Sequence, residues 1–256
     1  MKRMGIDISK WQGNYTIPDA AEFVIIKAGG SDDGLYIDSQ FLSNYINCKN
    51  RDIPCGIYWY TAAASVEALD TEIDYLIGHI MGLQFELPIY LDLEEEELYF
   101  YSNDLAVHWL EKMYASGYYP GIYCGYSWSN DQLIDNIIGT FPFWLAYWAD
   151  EKPDFKWKYG IWQKGSCYIN GIVVDIDYQY IDYEPTIKEL GLNGYKPQKQ
   201  RFIDVTKDKS YYKAVQWAAS NGYIKGYKDG TFRPDEPMTR AQVQVELWRM
   251  AGKPEV

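Results

Sequence analysis

Eight short runs of apolar, β-branched or aromatic residues recur through the first 178 residues with turn signals at their ends, and this spacing limits the fold more than any other feature. The runs are MGIDIS (4–9), FVIIKA (23–28), GIYWY (56–60), LPIYLDL (87–93), PGIYCG (120–125), FWLAYW (143–148), YGIWQ (159–163) and IVVDIDY (172–178). Stretches with helical periodicity lie between the earlier runs, over 38–50, 65–81, 104–116 and 129–138, and Ser or Asp opens most of them as an N-cap. Strand and helix in alternation predict a parallel α/β sheet. Eight strands suggest a closed barrel, although about 180 residues is short of the roughly 250 typical of a (β/α)8 barrel. The gaps at 149–158 and 164–171 are too short for a helix plus loops, so the expected fold is an irregular (β/α)8-type barrel with helices missing on its late side. An open doubly wound sheet is the alternative, and it lacks the Gly-rich phosphate loop that would follow its first strand.

Catalytic groups of a parallel barrel sit at the C-terminal ends of its strands, where the βα loops form a cleft. Acids stand at three such ends: Asp7 on the first strand, Asp92 and Glu94 on the fourth, Asp175 and Asp177 on the eighth. Period two puts each pair on one face, with Cα atoms about 6.6 to 7 Å apart. A closed barrel would make Asp175 a neighbour of Asp7. Carboxylates crowded into one cleft cannot all ionise easily, so one is expected to keep a proton as a general acid, and Glu94 has the longest reach.

Charge narrows the partners and divides the chain. Residues 1–183 carry 11 Lys and Arg against 27 Asp and Glu, whereas 184–256 carry 13 against 9, which predicts two domains with different surfaces. A net charge of −12 disfavours nucleic acid as the main partner. Cys48, Cys55, Cys124 and Cys167 fit no zinc or CxxC spacing and read as free buried thiols, and two histidines, His79 and His108, are little material for a triad or metal site. The 25 Tyr and 10 Trp suit core filling and stacking on sugars alike. SDDGLYID (31–38) lacks the ligand spacing and closing Glu of a calcium loop, the acidic run Glu95 to Glu97 reads as a solvated loop, and Asn14 opens a formal glycosylation sequon.

Taken together, GIDISKWQG (5–13), FVIIKAGG, GIYWYT, LPIYLDLEE (87–95), GIYCGYSW, FWLAYW, Trp162-Gln163 and VVDIDYQY resemble glycoside hydrolase family 25, the muramidases that include many bacteriophage endolysins. The resemblance spans residues 3–183 in order. It implies cleavage of the β-1,4 bond between N-acetylmuramic acid and N-acetylglucosamine in peptidoglycan, without a cofactor or metal. Glu94 matches the family's general acid/base, and Asp92, Asp7 and Asp175 match its other active-site acids. Tyr58, Tyr123, Trp144 and Tyr147 fall at strand ends where family members line the sugar groove, and Gln163 and Asp177 in the matched runs complete the implied substrate-binding set. Two carboxylates on one strand approach a sugar from the same side, which fits attack by the substrate's own N-acetyl oxygen.

The barrel is expected to end at residue 184, with a linker over 185–201 and a small all-α domain over 202–256. FIDV (202–205), AVQWAASNGYIKGY (214–227), DGTFRPD (229–235) and MTRAQ (238–242) resemble one S-layer homology motif, departing from it at Ser210, where Trp is usual, and Gln242, where Glu is usual. The resemblance implies binding of a secondary cell-wall polymer, with Arg240 as the anion contact. About 50 residues is marginal for an independent core, which predicts self-association through the tail. The N-terminus shows no apolar signal-peptide segment and no run is long enough to span a membrane, so the expectation is synthesis in a host cytoplasm and action at the bacterial wall after release, as in a phage endolysin. The alternatives are a non-catalytic wall- or S-layer-associated carbohydrate-binding protein, against which the complete acid set counts, and a chitinase, whose DxxDxDxE run is absent.

Overall fold

Strand β1 (Arg3–Ile8) pairs in parallel with β2 (Val24–Gly30), and the ring runs on through β4 (Cys55–Tyr60), β5 (Ile89–Leu93), β6 (Pro120–Gly125), β7 (Phe143–Ala146), β8 (Ile161–Ile169) and β9 (Ile172–Gln179) back to β1. Eight strands therefore close a barrel, and the two-residue β3 (Tyr36–Ile37) adds antiparallel to the end of β2. The computed structural model describes residues 2–131, 140–196, 202–220 and 222–253. It divides into two units, Met1–Pro197 and Gln198–Val256.

The last strand departs from an all-parallel sheet. β9 runs antiparallel to both β8 and β1. Asn170 and Gly171 join β8 to β9 with φ of 52° and 85°, and a two-residue turn with both central residues at positive φ matches the twist of an antiparallel hairpin. Asp175 consequently lies in the first half of its strand, yet at the same end of the barrel as the ends of the parallel strands.

Helices α1 (Phe41–Asn50), α2 (Val66–Ile80), α3 (Ser102–Ala115) and α4 (Tyr126–Asp131) cover the early side, whereas residues 147–160, between β7 and β8, hold no helix. The helix expected over 129–138 begins earlier, at Tyr126, and 132–139 lie outside the described residues. Ser65 caps α2, its hydroxyl accepting from the Ala68 amide at 3.2 Å.

Period-two alternation sorts the barrel into two apolar layers. Ile6, Ile26, Ile57, Leu91 and Leu145 belong to the large cluster that includes helix residues such as Leu76 and Trp109, while Phe23, Ile25, Tyr90, Tyr123, Trp144 and Ile161 fill the interior. Gly5 and Gly121 make this interior possible: a Cβ on either would lie 2.5 Å from the ring of Phe23 or Tyr90. Tyr183, Ile187 and Leu192 join the interior cluster from below. Asn193 ties them in, accepting from the Tyr119 amide at 2.7 Å and donating to the Leu87 carbonyl at 2.8 Å.

The segment read above as the start of a linker is thus the barrel's floor. Glu184–Leu190 forms helix α5, and the unit runs to Pro197, because Ile187 and Leu192 supply apolar surface that the open barrel end needs. Cys48, Cys55 and Cys124 are buried free thiols; Cys167, on the β8 edge, is free but exposed.

The second unit holds α6 (Tyr212–Ser220) and α7 (Arg240–Met250). Its core is small: Phe202, Val205, Val215 and Ala219, with Phe232 stacked on Phe202 at 5.2 Å. Asp204 accepts from the Phe232 and Arg233 amides at 2.8 and 2.7 Å, and Thr239 and Gln242 form a capping box on α7. No helix among the described residues is long and apolar enough to cross a membrane.

Candidate active site

The inner positions of the strands turn from apolar to acidic at one end of the barrel. Asp7 on β1 stands directly opposite Asp175 on β9, and Asp177 lies two residues deeper, opposite Gly5 on one side and Gln163 of β8 on the other. Across the ring, Asp92 on β5 lies beside Tyr60 of β4 and Tyr123 of β6, and Glu94 follows just past the strand end. Closure of the ring thus gathers the five acids singled out from sequence.

Their surroundings set different proton affinities. Asp92 is buried, and burial, then the charge of Glu94, pushes its carboxyl well above the usual range; Lys27 opposes this. Its Oδ1 is buried without a hydrogen-bond partner among the described residues. Glu94 remains open to solvent, yet desolvation by the surrounding protein raises it too, with Lys27 opposing and Glu95 and Asp175 adding. Burial also raises Asp175. Asp177 is sealed from solvent and accepts from Trp144 Nε1 at 2.7 Å through Oδ1; burial, then the nearby charge of Asp7, pushes its carboxyl well above the usual range. Asp7, opposite Asp175, is pushed up to about 7 by burial and by the charge of Asp175.

Gln163 organises the centre. Its Nε2 donates to Asp7 Oδ2 at 2.9 Å, while its Oε1 accepts from Tyr123 Oη and from Trp148 Nε1, each at 3.0 Å. An amide whose oxygen is held by two donors turns its NH2 group toward Asp7.

Residues 6–172 match the sequence model of the glycosyl hydrolases family 25. The chain belongs to that family. As a family 25 glycosyl hydrolase it is a glycoside hydrolase, and residues 201–243 match the S-layer homology domain. Among solved structures it is similar to the CTP1L endolysin at 19% identity, covering 98% of this chain and 99% of that one, with a TM-score of 0.63. It is similar to the modular autolysin LytC of Streptococcus pneumoniae at 21% identity over 70% of this chain and 47% of that one, TM-score 0.58. A muramidase from Trichobolus zukalii shows 24% identity over 73% and 98%, TM-score 0.54. These likenesses establish the barrel fold, and no curated protein matches the chain.

Within this family 25 barrel, Asp7, Asp92, Glu94, Asp175, Gln163, Tyr58 and Tyr123 lie together at one end of the ring. Two expected sugar contacts do not face the cleft. Trp144 is 1% exposed and Asp177 is fully buried, so Trp144 supports the floor beneath Tyr58 and Tyr123 and holds Asp177 in place. Tyr147 is exposed at the rim, its ring tilted against that of Tyr126 at 4.8 Å. Arg240 belongs to the second unit, where it is exposed at the first position of α7.

Three cleft residues escaped the sequence reading. Lys27 sits in the buried strand FVIIKA; a lone lysine in an otherwise apolar run was the available signal. Tyr60 donates to Glu95 Oε1 at 2.7 Å, and Trp148 reaches Gln163 while remaining 64% exposed. Both lie at the ends of strands already identified.

Proposed function

We propose that the enzyme is an N-acetylmuramidase that cleaves the β-1,4 bond between N-acetylmuramic acid and N-acetylglucosamine in bacterial peptidoglycan, by substrate-assisted catalysis. The observation that carries this reading is the contrast on one strand edge: Asp92, buried with an unpartnered Oδ1, beside Glu94, open to solvent and raised. Both reach the substrate from the same side of the sugar, unlike the opposed pair of a simple retaining or inverting enzyme. Supporting it, the similar structures include an autolysin in complex with a synthetic peptidoglycan ligand and a muramidase from Trichobolus zukalii.

In this mechanism the N-acetyl carbonyl oxygen of the muramic unit attacks its own C1 as the C1–O4 bond breaks. Glu94 gives its proton to O4 of the departing glucosamine. Asp92 Oδ1 accepts from the acetamido N–H and stabilises the positive charge of the cyclic oxazolinium. Glu94, now a carboxylate, takes a proton from the water that attacks C1, and the anomeric configuration is retained. In their ionised forms Asp175 and, above a pH of about 7, Asp7 add negative potential beneath the ring, where oxocarbenium character develops. Tyr58, Tyr123, Tyr147 and Gln163 shape the saccharide path.

A wall polymer whose muramic units carry free amines should be cut at less than about a hundredth of the rate of the acetylated polymer, given what positioned acid–base and intramolecular groups contribute. Equal rates on the two polymers would overturn substrate assistance.

The second unit is read as a wall anchor, with Arg240 exposed to meet the anionic groups of a secondary wall polymer. Helix α7 buries no residue within its own unit, and Val243, Leu247 and Met250 are exposed on it, which supports self-association through the tail. The role at the bacterial wall is that of an endolysin acting from within. The chain 1–196 should not sediment with walls and should hold fewer subunits per particle than the full chain; if it sediments as well and keeps the same number of subunits, the two tail roles fall.

A further inference from the structure

Lys27 is the one lysine or arginine that is buried among the described residues, at 9% exposure. No ion pair of the described residues includes it. Its ammonium is instead enclosed by aromatic faces: Tyr60 at 4.5 Å, Tyr58 at 5.8 Å and Tyr36 at 5.9 Å to the ring centroids. Ring quadrupoles hold a cation without neutralising it, as a carboxylate partner would. The strand order aims the remaining field, because β4 carries two of these rings and stands between β2, with Lys27, and β5, with Asp92.

We propose that Lys27 is a positioning residue for the glycosidase reaction: a buried cation, boxed by Tyr36, Tyr58 and Tyr60, whose field decides how the proton is held across Asp92 and Glu94. This rests on the muramidase reading of the same cleft. The substrate-assisted reaction needs Asp92 ionised and Glu94 protonated at one pH. Burial and crowding work against the first requirement, since Asp92 and Glu94 face Asp7 from β1, Asp175 from β9, and Glu95 from the following turn. The phenols of Tyr58, Tyr60 and Tyr123 face the same two acids from β4 and β6. Lys27 is the cation acting on both acids, and it favours the ionised form of each. A cation too strongly paired to leave its partner, or one free to move into solvent, would not hold that balance; a ring-boxed ammonium does.

The test is the pH dependence of kcat and KM for wild type, Lys27→Met and Lys27→Arg on purified peptidoglycan. In Lys27→Met both limbs of the kcat profile should move to higher pH, the acid limb because Asp92 holds its proton longer and the alkaline limb because Glu94 does. A limb displaced by about one unit lowers kcat roughly tenfold on the acid side, with KM changed much less. Lys27→Arg should restore both limbs, because it keeps the charge. Limbs that stay in place while kcat falls, or a rise confined to KM, would overturn the proposal. If Lys27→Met fails to fold by circular dichroism, Lys27→Gln takes its place, with carbon-13 NMR titration of the Glu94 carboxyl as the second readout. An upward displacement there supports the field and no displacement refutes it. That titration needs no turnover, so a wild-type enzyme that releases no muramic acid ends would sink the muramidase reading while leaving Lys27 separately tested.

Discussion

Gln163 Nε2 donates to Asp7 Oδ2 at 2.9 Å, joining residues 156 positions apart at the centre of the cleft. The same amide accepts from Tyr123 and Trp148, so one buried side chain satisfies two donors and biases one acid. Gln163→Leu strands the buried Tyr123 hydroxyl and removes the bond that draws Asp7 down, while Trp148, 64% exposed, can turn its indole to water. The expected cost is about 1–3 kcal/mol per stranded buried group, read as a lower urea midpoint. An unchanged midpoint would show that the amide is not structurally engaged.

Asp7 makes the barrel's stability depend on pH in a stated direction. Its folded value of about 7 lies above the ordinary 3.8, so between those limits the folded barrel holds a proton that the unfolded chain has released. Stability therefore falls as pH rises from about 4 to 7, at up to about 1.4 kcal/mol per unit from this group. Asp7→Asn should flatten that slope, measured by thermal melting at pH 5 and pH 8. A slope as steep as wild type would remove Asp7 from the account.

On the outer face, Trp59 Nε1 donates to Glu72 Oε2 at 2.7 Å with both groups buried, fastening β4 to α2. Glu72→Ala orphans the indole and leaves a cavity, for a loss of about 1–3 kcal/mol. Turnover per folded molecule should stay unchanged because the contact is remote from the acids. A fall in both quantities together would mean that α2 positions the cleft.

Truncation tests the floor of the barrel. A chain ending at Lys196 keeps Tyr183, Ile187, Leu192 and Asn193 and should melt cooperatively, whereas a chain ending at Asp182 loses all four and should not. Equal melting of the two would return 184–196 to the status of a tether.

Much of this architecture was legible in the sequence, for physical reasons particular to each element. The strands announced themselves because buried runs such as FVIIKA and LPIYLDL are apolar on both faces, and the acids because Asp7, Asp92, Glu94 and Asp175 interrupt such runs near their ends. The direction of β9 was also encoded, in the Asn170-Gly171 pair, a turn signal that an expectation of parallel strands passed over. The floor helix was less visible, since EPTIKELGLNGYK is largely polar and only Ile187 and Leu192 reveal which side is buried. Whether an aromatic lines a groove or supports its floor depends on the inward face of a closed ring, so Trp144 and Tyr147 were indistinguishable until the barrel formed. Lys27 was hidden for the opposite reason: its partners are ring faces from two other strands, which no local spacing records.

The most direct test of the account is digestion of purified peptidoglycan by wild type and Glu94→Gln, with borohydride reduction and mass spectrometry of the products. Wild type should release muropeptides ending in N-acetylmuramitol, and Glu94→Gln should release them at a rate lower by about 10²–10⁴. Products ending in N-acetylglucosaminitol, or equal yields from the two proteins, would contradict it.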